Sequence, residues 1–225
     1  LAVALIVIAV NLPEEPDPEI GADSLPKPAL TAETLQVAGA AFPKLLALGD
    51  GTLQLIGVGV RTQFRLEMYA MALYCATGAQ SDRNIIEFDL PAAIRLEIVS
   101  NLVSKERFER AVIRGFRNST FGKPNQLQAE LAELLPAFAD PLKKKDVFDF
   151  VYQPGIGTRV VKNGEVKATV QGAEFKQALF GIWIGEAPID EALKNQLLAS
   201  VNAARPSESR KELVPVDAQQ SQTAE

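Results

Sequence analysis

Apolar and polar residues alternate along Thr52–Arg61 (TLQLIGVGVR), which predicts a strand. Strict alternation puts Leu53, Leu55, Gly57, Gly59 and Arg61 on one face, and Gln54, Ile56, Val58 and Val60 on the other. Phe64–Cys75 predicts the next strand after a short turn. Ala93–Val103 predicts a third, with Ile94, Leu96 and Ile98 on one face. Upstream, Leu35–Leu48 reads as a short hairpin. The period changes at Ser104, a good N-cap for a helix in which Phe108, Ala111, Val112, Gly115 and Phe116 fall on one side. Asn125 reads as the cap of a second helix, striped by Leu127, Leu131, Leu134, Leu135 and Phe138 and kinked or ended by Pro136. Then come a strand, a turn at Pro154-Gly155, a strand, a tight Asn163-Gly164 turn and another strand. Phe175, Leu179, Ile182 and Trp183 stripe a helix ending at Gly185. The last helix opens at Asp190 and carries Leu193, Leu197, Leu198 and Val201. Antiparallel strand clusters separated by runs of helix predict an α+β fold, an antiparallel sheet with helices packed on one face.

The two ends carry different patterns. Residues 1–10 (LAVALIVIAV) form an uncharged apolar run, shorter than the roughly 20 residues a spanning helix needs. They fit the apolar region of a signal peptide or the remnant of a membrane anchor, which predicts a periplasmic or secreted protein with membrane association through its N-terminus. A buried first strand is the alternative. Residues 11–34 hold Pro13, Pro16, Pro18, Pro26 and Pro28 among acidic residues and read as an extended tether. Residues 205–225 are polar, lack aromatics and read as a disordered tail. A single domain, 35–204, lies between.

Composition narrows the chemistry. A net charge of −5 argues against nucleic acid as a partner, because phosphate backbones select basic surfaces. The 225 residues contain no histidine, which removes histidine bases, triads and most zinc sites. The single cysteine, Cys75, cannot form an internal disulfide and reads as a buried thiol within a strand.

Few residues remain as carriers of function. Gly57-Val58-Gly59 lacks the third glycine of a dinucleotide loop, and Gly155-Ile156-Gly157-Thr158 lacks a Walker lysine. Gly57 and Gly59 leave one sheet face bare beside Arg61. Either a ligand lies against the backbone there, or a helix packs close and fills the gap. Arg61 offers a rigid fork suited to a carboxylate. Its alternative is a solvated strand end or an ion pair with Glu67. Arg107, Arg110, Arg114 and Arg117 share about one quadrant of their helix. This stripe suits an anionic lipid or an acidic partner. Its alternative is a solvated face partly neutralised by Glu106, which stands at i,i+4 spacing from Arg110.

Several stretches, taken in order, resemble the chalcone isomerase-like family. They are G-V-G-V-R at 57–61, M-Y-A-M-A-L-Y at 68–74, the helix after the third strand, Y-x-P-G-x-G-T at 152–158, Asn163-Gly164, Phe175 and A-L-F-x-I-W-x-G at 178–185. The resemblance covers residues 35–199 or so and implies an open-faced β-sandwich. In the fatty-acid-binding members, an arginine ending this strand and a tyrosine on the next hold a lipid carboxylate; Arg61 and Tyr69 match them. A three-residue turn at 62–64 would set Tyr69 opposite Gly57 and on Arg61's face, whereas a two-residue turn would flip it. The family's enzymes cyclise a chalcone with a tyrosine and an asparagine on the helix, where this chain has Phe108 and Gly115, and with a threonine at the place of Tyr69. All three tyrosines, Tyr69, Tyr74 and Tyr152, fall in predicted strands, so no phenol comes from that helix. The resemblance therefore implies a protein without catalytic residues that binds a fatty acid or similar amphiphile between sheet and helices. No cofactor or metal is implied. The alternatives are an isomerase or lyase of altered mechanism on a small phenolic or enone, and a membrane-tethered accessory subunit whose cleft is closed by core side chains.

Overall fold

The computed structural model describes residues 33–49, 51–76, 81–120 and 124–204. The expectations for the apolar run, the tail and all but the last residues of the tether lie outside the described residues. Strands β1 (Thr34–Val37) and β2 (Ala40–Pro43) form a small separate hairpin. Seven strands then follow in chain order across one sheet: β3 (Leu45–Leu48), β4 (Gly51–Gln63), β5 (Leu66–Cys75), β6 (Ala92–Ile98), β7 (Val147–Gln153), β8 (Gly157–Lys162) and β9 (Glu165–Val170). Every neighbouring pair is antiparallel. The hairpin expected over residues 35–48 is thus three strands, because the chain turns at Lys44 and enters the large sheet.

The helices are α1 (Asp82–Glu87), α2 (Lys105–Ser119), α3 (Gln128–Leu134), α4 (Ala173–Ile184), α5 (Glu191–Leu197) and α6 (Ala199–Ala204). Ser104 caps α2 as expected, its Oγ accepting from the Arg107 amide at 3.4 Å. Asn125 does not cap α3: it falls in a 3-10 turn, Pro124–Leu127, and α3 begins without a side-chain cap. Pro136 sits in a second 3-10 turn, Leu135–Phe138, that follows α3. The expected last helix breaks at Leu198 into α5 and α6. Helix α1, capped by Ser81, is too short to show a helical period and was not predicted.

All the helices that reach the core do so on one side of the sheet. Met71, Leu73, Ile94, Leu96, Phe148 and Phe150 of the sheet pack there against Phe108 and Phe116 of α2, Phe175 and Trp183 of α4, and Leu193 and Leu197 of α5. On the other side, Ala70, Ala72 and Tyr74 of β5 meet Ala40 and Phe42 of β2. The Tyr74 hydroxyl donates there to the Pro43 carbonyl at 3.0 Å. This is the expected α+β arrangement, with the small hairpin backing part of the sheet. Helix α4 is not striped as expected but buried on every side, Lys176 included. The Lys176 ammonium donates to the carbonyls of Ile86 and Phe88, both at 2.8 Å, and so closes the C-terminal end of α1. Burial pushes its pKa down to about 8.

Two bulges set the geometry of β4. Its alternation is not strict, because the register shifts between Leu55 and Gly57. The extra residue, Ile56, flips the strand. Leu53 and Leu55 therefore face the small hairpin, while Gly57, Gly59 and Arg61 face the helices. At the far end the turn is Phe64-Arg65, two residues and not three, with Gln63 opposite Leu66. An unbroken register would then place Met68 opposite Arg61. A second shift between Arg61 and Thr62 makes Met68 the extra residue and brings Tyr69 directly opposite Arg61. The expected pairing of Tyr69 with Gly57 is overturned, since Gly57 pairs with Leu73.

Candidate functional site

A cleft of about 520 Å³ opens beside the β4–β5 turn, against α2 and the segment leading into α5. Arg61 and Tyr69 both line it. As cross-strand partners their side chains leave the sheet on the same face, as the matching of the two residues required. Met68, Val103, Phe108, Ala111 and Ile189 supply apolar wall. The volume falls within the roughly 300–1,000 Å³ usual for small-molecule sites.

The polar end is a linked set of four side chains. Arg61 Nη1 donates to Asp190 Oδ2 at 2.6 Å and to its neighbour's carbonyl, Thr62 O, at 2.8 Å. The ion pair is with Asp190 and not with Glu67, and both of its side chains are largely buried, 20% and 15% exposed. The guanidinium Nε–Nη2 edge meets no carboxylate or carbonyl among the described residues. Asp190 is held from behind: its Oδ1 accepts from the Leu193 amide at 3.1 Å as the N-cap of α5. Beside Arg61, Trp183 Nε1 donates to the Tyr69 hydroxyl oxygen at 3.2 Å. An indole N–H can only donate, so the Tyr69 proton stays available to an acceptor in the cleft. Burial raises the Tyr69 pKa, the Trp183 bond and the Arg61 charge lower it, Asp190 raises it again, and the net is upward. Tyr69 is therefore a neutral hydrogen-bond donor at any physiological pH.

Below these groups the space is filled. Phe108 meets Tyr69 edge-on with ring centroids 6.4 Å apart, and stacks on Phe148 at 5.7 Å. Phe138, Phe150 and Trp183 continue the aromatic row between sheet and helices. The expected cleft between the layers is thus confined to their edge, and the interlayer space itself is aromatic core.

The glycines beside Arg61 resolve in favour of the packed helix. A Cβ on Gly57 would lie 2.4 Å from the Leu197 carbonyl oxygen, and one on Gly59 would lie 2.7 Å from Leu193 Cδ1. Helix α5 occupies the bare face, and this close approach carries Asp190 to Arg61. Of the two helix positions compared with the enzymes, Phe108 lines the cleft, whereas Gly115 packs against Ile182. All three tyrosines lie on strands, as read. Cys75 is buried on β5, with its thiol pKa pushed up by burial.

Sequence reasoning missed three parts of the site. Asp190 was read only as the start of a helix, and Trp183 only as core. Three of the four stripe arginines, Arg107, Arg110 and Arg114, were not connected with the lipid site, yet they border the cleft, and all are exposed. Their helical spacing was legible. Their position at a cleft mouth required the turn of β4–β5 to stand beside α2.

A sequence profile of the chalcone isomerase-like family matches residues 34–199. No curated protein matches the sequence. Among solved structures, a crystal structure of a fatty-acid binding protein from Arabidopsis thaliana superposes with a TM-score of 0.59 at 20% sequence identity, covering 76% of this chain and 98% of that one. At that identity the likeness speaks for the fold. The profile match spans well over half of the chain and takes in every strand and α1 to α5, so the protein belongs to the chalcone isomerase-like family.

Proposed function

We propose that this protein binds a single-chain lipophilic carboxylate, such as a fatty acid, in the edge cleft and performs no chemistry on it. The observation that carries the reading is the cross-strand pair of Arg61 and Tyr69 at one end of an otherwise apolar wall. The Nε–Nη2 edge of Arg61 can take a carboxylate side-on, and the Tyr69 hydroxyl can donate to one of its oxygens. The Arabidopsis neighbour is a fatty-acid binding protein, which is consistent with this use of the fold. Export, read from the apolar run at 1–10, belongs to the same proposal. Recovery of the full-length gene product solely in the soluble cytoplasm, with that run intact, would remove it.

Magnitudes divide the labour between tail and head. Burying one methylene is worth about 0.8 kcal/mol. A hydrogen bond to a charged group adds about 1.5–3 kcal/mol. A tail of roughly a dozen methylenes therefore dominates gross affinity, before association costs, and Arg61 with Tyr69 select the head group. The test is a titration of palmitic acid and its methyl ester against wild type and Arg61→Ala. The acid is preferred by wild type, and the preference shrinks in the variant. Equal affinities for acid and ester in wild type, or no binding of either, would overturn the reading.

A further inference from the structure

The mouth of the cleft carries features that a carboxylate site does not need. The β4–β5 turn is Phe64-Arg65, and the Phe64 side chain is 89% exposed, the most exposed large apolar side chain among the described residues. Leu66 and Leu102, 48% and 51% exposed, border the same mouth. Around them stand the exposed Arg107, Arg110 and Arg114. None of these three guanidinium groups forms an ion pair with a described residue. The nearby acids offset them only in part: Glu109 pairs with Lys105, Glu106 feels the charge of Arg110 one turn on without an ion pair to it, and Glu67 is exposed on β5. On a chain of net charge −5 this cluster is a local feature and not the general character of the surface.

The backbone of the turn points the same way. A two-residue hairpin turn of this hand needs positive φ at both residues, which favours Asn-Gly. The β8–β9 hairpin meets that need with Asn163 and Gly164, at φ 53° and 87°. The β4–β5 hairpin places Phe64 and Arg65 there, at φ 51° and 64°. Side chains of this size in the left-handed region cost stability. The cost is borne at the position that projects an aromatic ring beside a guanidinium.

From these observations we infer that the cleft mouth docks on the surface of an anionic phospholipid bilayer. Phe64, Leu66 and Leu102 enter the headgroup boundary, and Arg65, Arg107, Arg110 and Arg114 meet the lipid phosphates. Apolar side chains ringed by arginine suit that boundary, where one end of the contact is apolar and the other wet and negative. An acidic protein would match the arginines but leaves the projecting ring without a role. The inference deepens the proposed function: an acyl chain would pass between bilayer and cleft without crossing water.

The test uses the full chain with a polarity-sensitive fluorophore attached through Phe64→Cys, and a control with the fluorophore at Ile156→Cys, an exposed position on the β7–β8 turn. Cys75 is fully buried and stays unlabelled. Vesicles of phosphatidylcholine alone are compared with vesicles containing phosphatidylglycerol, at low and high salt. With the anionic vesicles the probe at 64 shifts to the blue and the probe at 156 does not. High salt reverses the shift. Replacing Arg107, Arg110 and Arg114 together by glutamine weakens vesicle binding by about tenfold or more. No shift at 64, equal shifts at 64 and 156, or an unchanged affinity after the triple replacement would overturn the inference. The third outcome would assign any vesicle binding to another part of the chain, the apolar residues 1–10 first. Palmitate titration in vesicle-free buffer reads the cleft separately, so failure to dock and failure to bind a carboxylate are distinguishable.

Discussion

Arg61 and Asp190, 129 positions apart in the chain, meet through a 2.6 Å contact that ties the end of β4 to the N-cap of α5. The pair holds the guanidinium in place. It also sets a negative charge beside the point where a ligand carboxylate would sit. At an effective dielectric constant of about 20, two like charges roughly 5 Å apart repel by about 3 kcal/mol.

Asp190→Asn therefore raises the affinity for a fatty acid, by up to about a hundredfold, while leaving that for the methyl ester nearly unchanged. Asparagine caps a helix about as well as aspartate, so α5 stays in place. The check is the acid and ester titration run on this variant. Weaker acid binding would mean that Asp190 serves mainly to orient Arg61.

Tyr69→Phe removes the acceptor of the Trp183 indole, which is buried and then has no partner. An orphaned buried donor costs about 1–3 kcal/mol. Denaturant titration reads that loss directly. The variant also prefers the acid over the ester less than wild type does, because the hydroxyl donor is gone.

Gly57→Ala sets a methyl group 2.4 Å from the Leu197 carbonyl oxygen, a backbone atom that cannot rotate away. Helix α5 must move off the sheet, at a cost of about 1–3 kcal/mol. Asp190 moves with it. The variant is less stable to denaturant and binds palmitate differently from wild type, whereas Gly164→Ala, whose added Cβ meets nothing within 4 Å, leaves the ligand affinity unchanged.

Asp146 ties the entry of β7 to the β8–β9 turn. Its carboxylate accepts from the Lys143 amide at 2.9 Å and from Asn163 Nδ2 at 3.0 Å, with Lys162 Nζ 3.5 Å away. Burial opposes the charge, but these partners outweigh it and hold the pKa below its ordinary 3.8. The contribution to stability is complete above pH 3.8 and fades as pH falls through the lower native value. Asp146→Ala thus costs about 1–2 kcal/mol near neutral pH. The gap between variant and wild type closes in denaturant titrations run at acid pH well below 3.8.

Replacing Phe64-Arg65 by Asn-Gly relieves two left-handed bulky residues and adds about 1–2 kcal/mol of stability. Chemical denaturation measures the gain. The same variant loses its attachment to anionic vesicles if the turn is the docking tip.

Much of the architecture was legible in the chain because it depends on local period and local caps. The Asn163-Gly164 hairpin, the Ser104 cap of α2, the end of α4 at Gly185 and the start of α5 at Asp190 all sit where the residues placed them. Their physics acts within a few positions, and no distant contact overrides it. The short α1 and the break at Leu198 were not legible, since neither leaves a periodic signature of useful length.

The site was legible as residue types and not as geometry. Arg61 and Tyr69 could be named, and Arg107, Arg110 and Arg114 could be placed on one helical quadrant. Which face of the sheet each strand residue takes was decided by bulges at Ile56 and Met68. A bulge adds one residue to one strand, leaves no mark in the hydrophobic pattern, and reverses the facing of everything beyond it. A two-residue turn alone would have set Tyr69 on the wrong face, and the Met68 bulge restores it. The partner of Arg61 lay equally out of reach. Glu67 was close in sequence, but Asp190 arrives because Gly57 and Gly59 let α5 approach the strand. Sequence alone determined the elements and the family pattern; strand pairing and packing decided the rest, because facing follows from two bulges that no period records, the mouth of the cleft from a hairpin turn set beside α2, and the partners from contacts between residues more than a hundred positions apart.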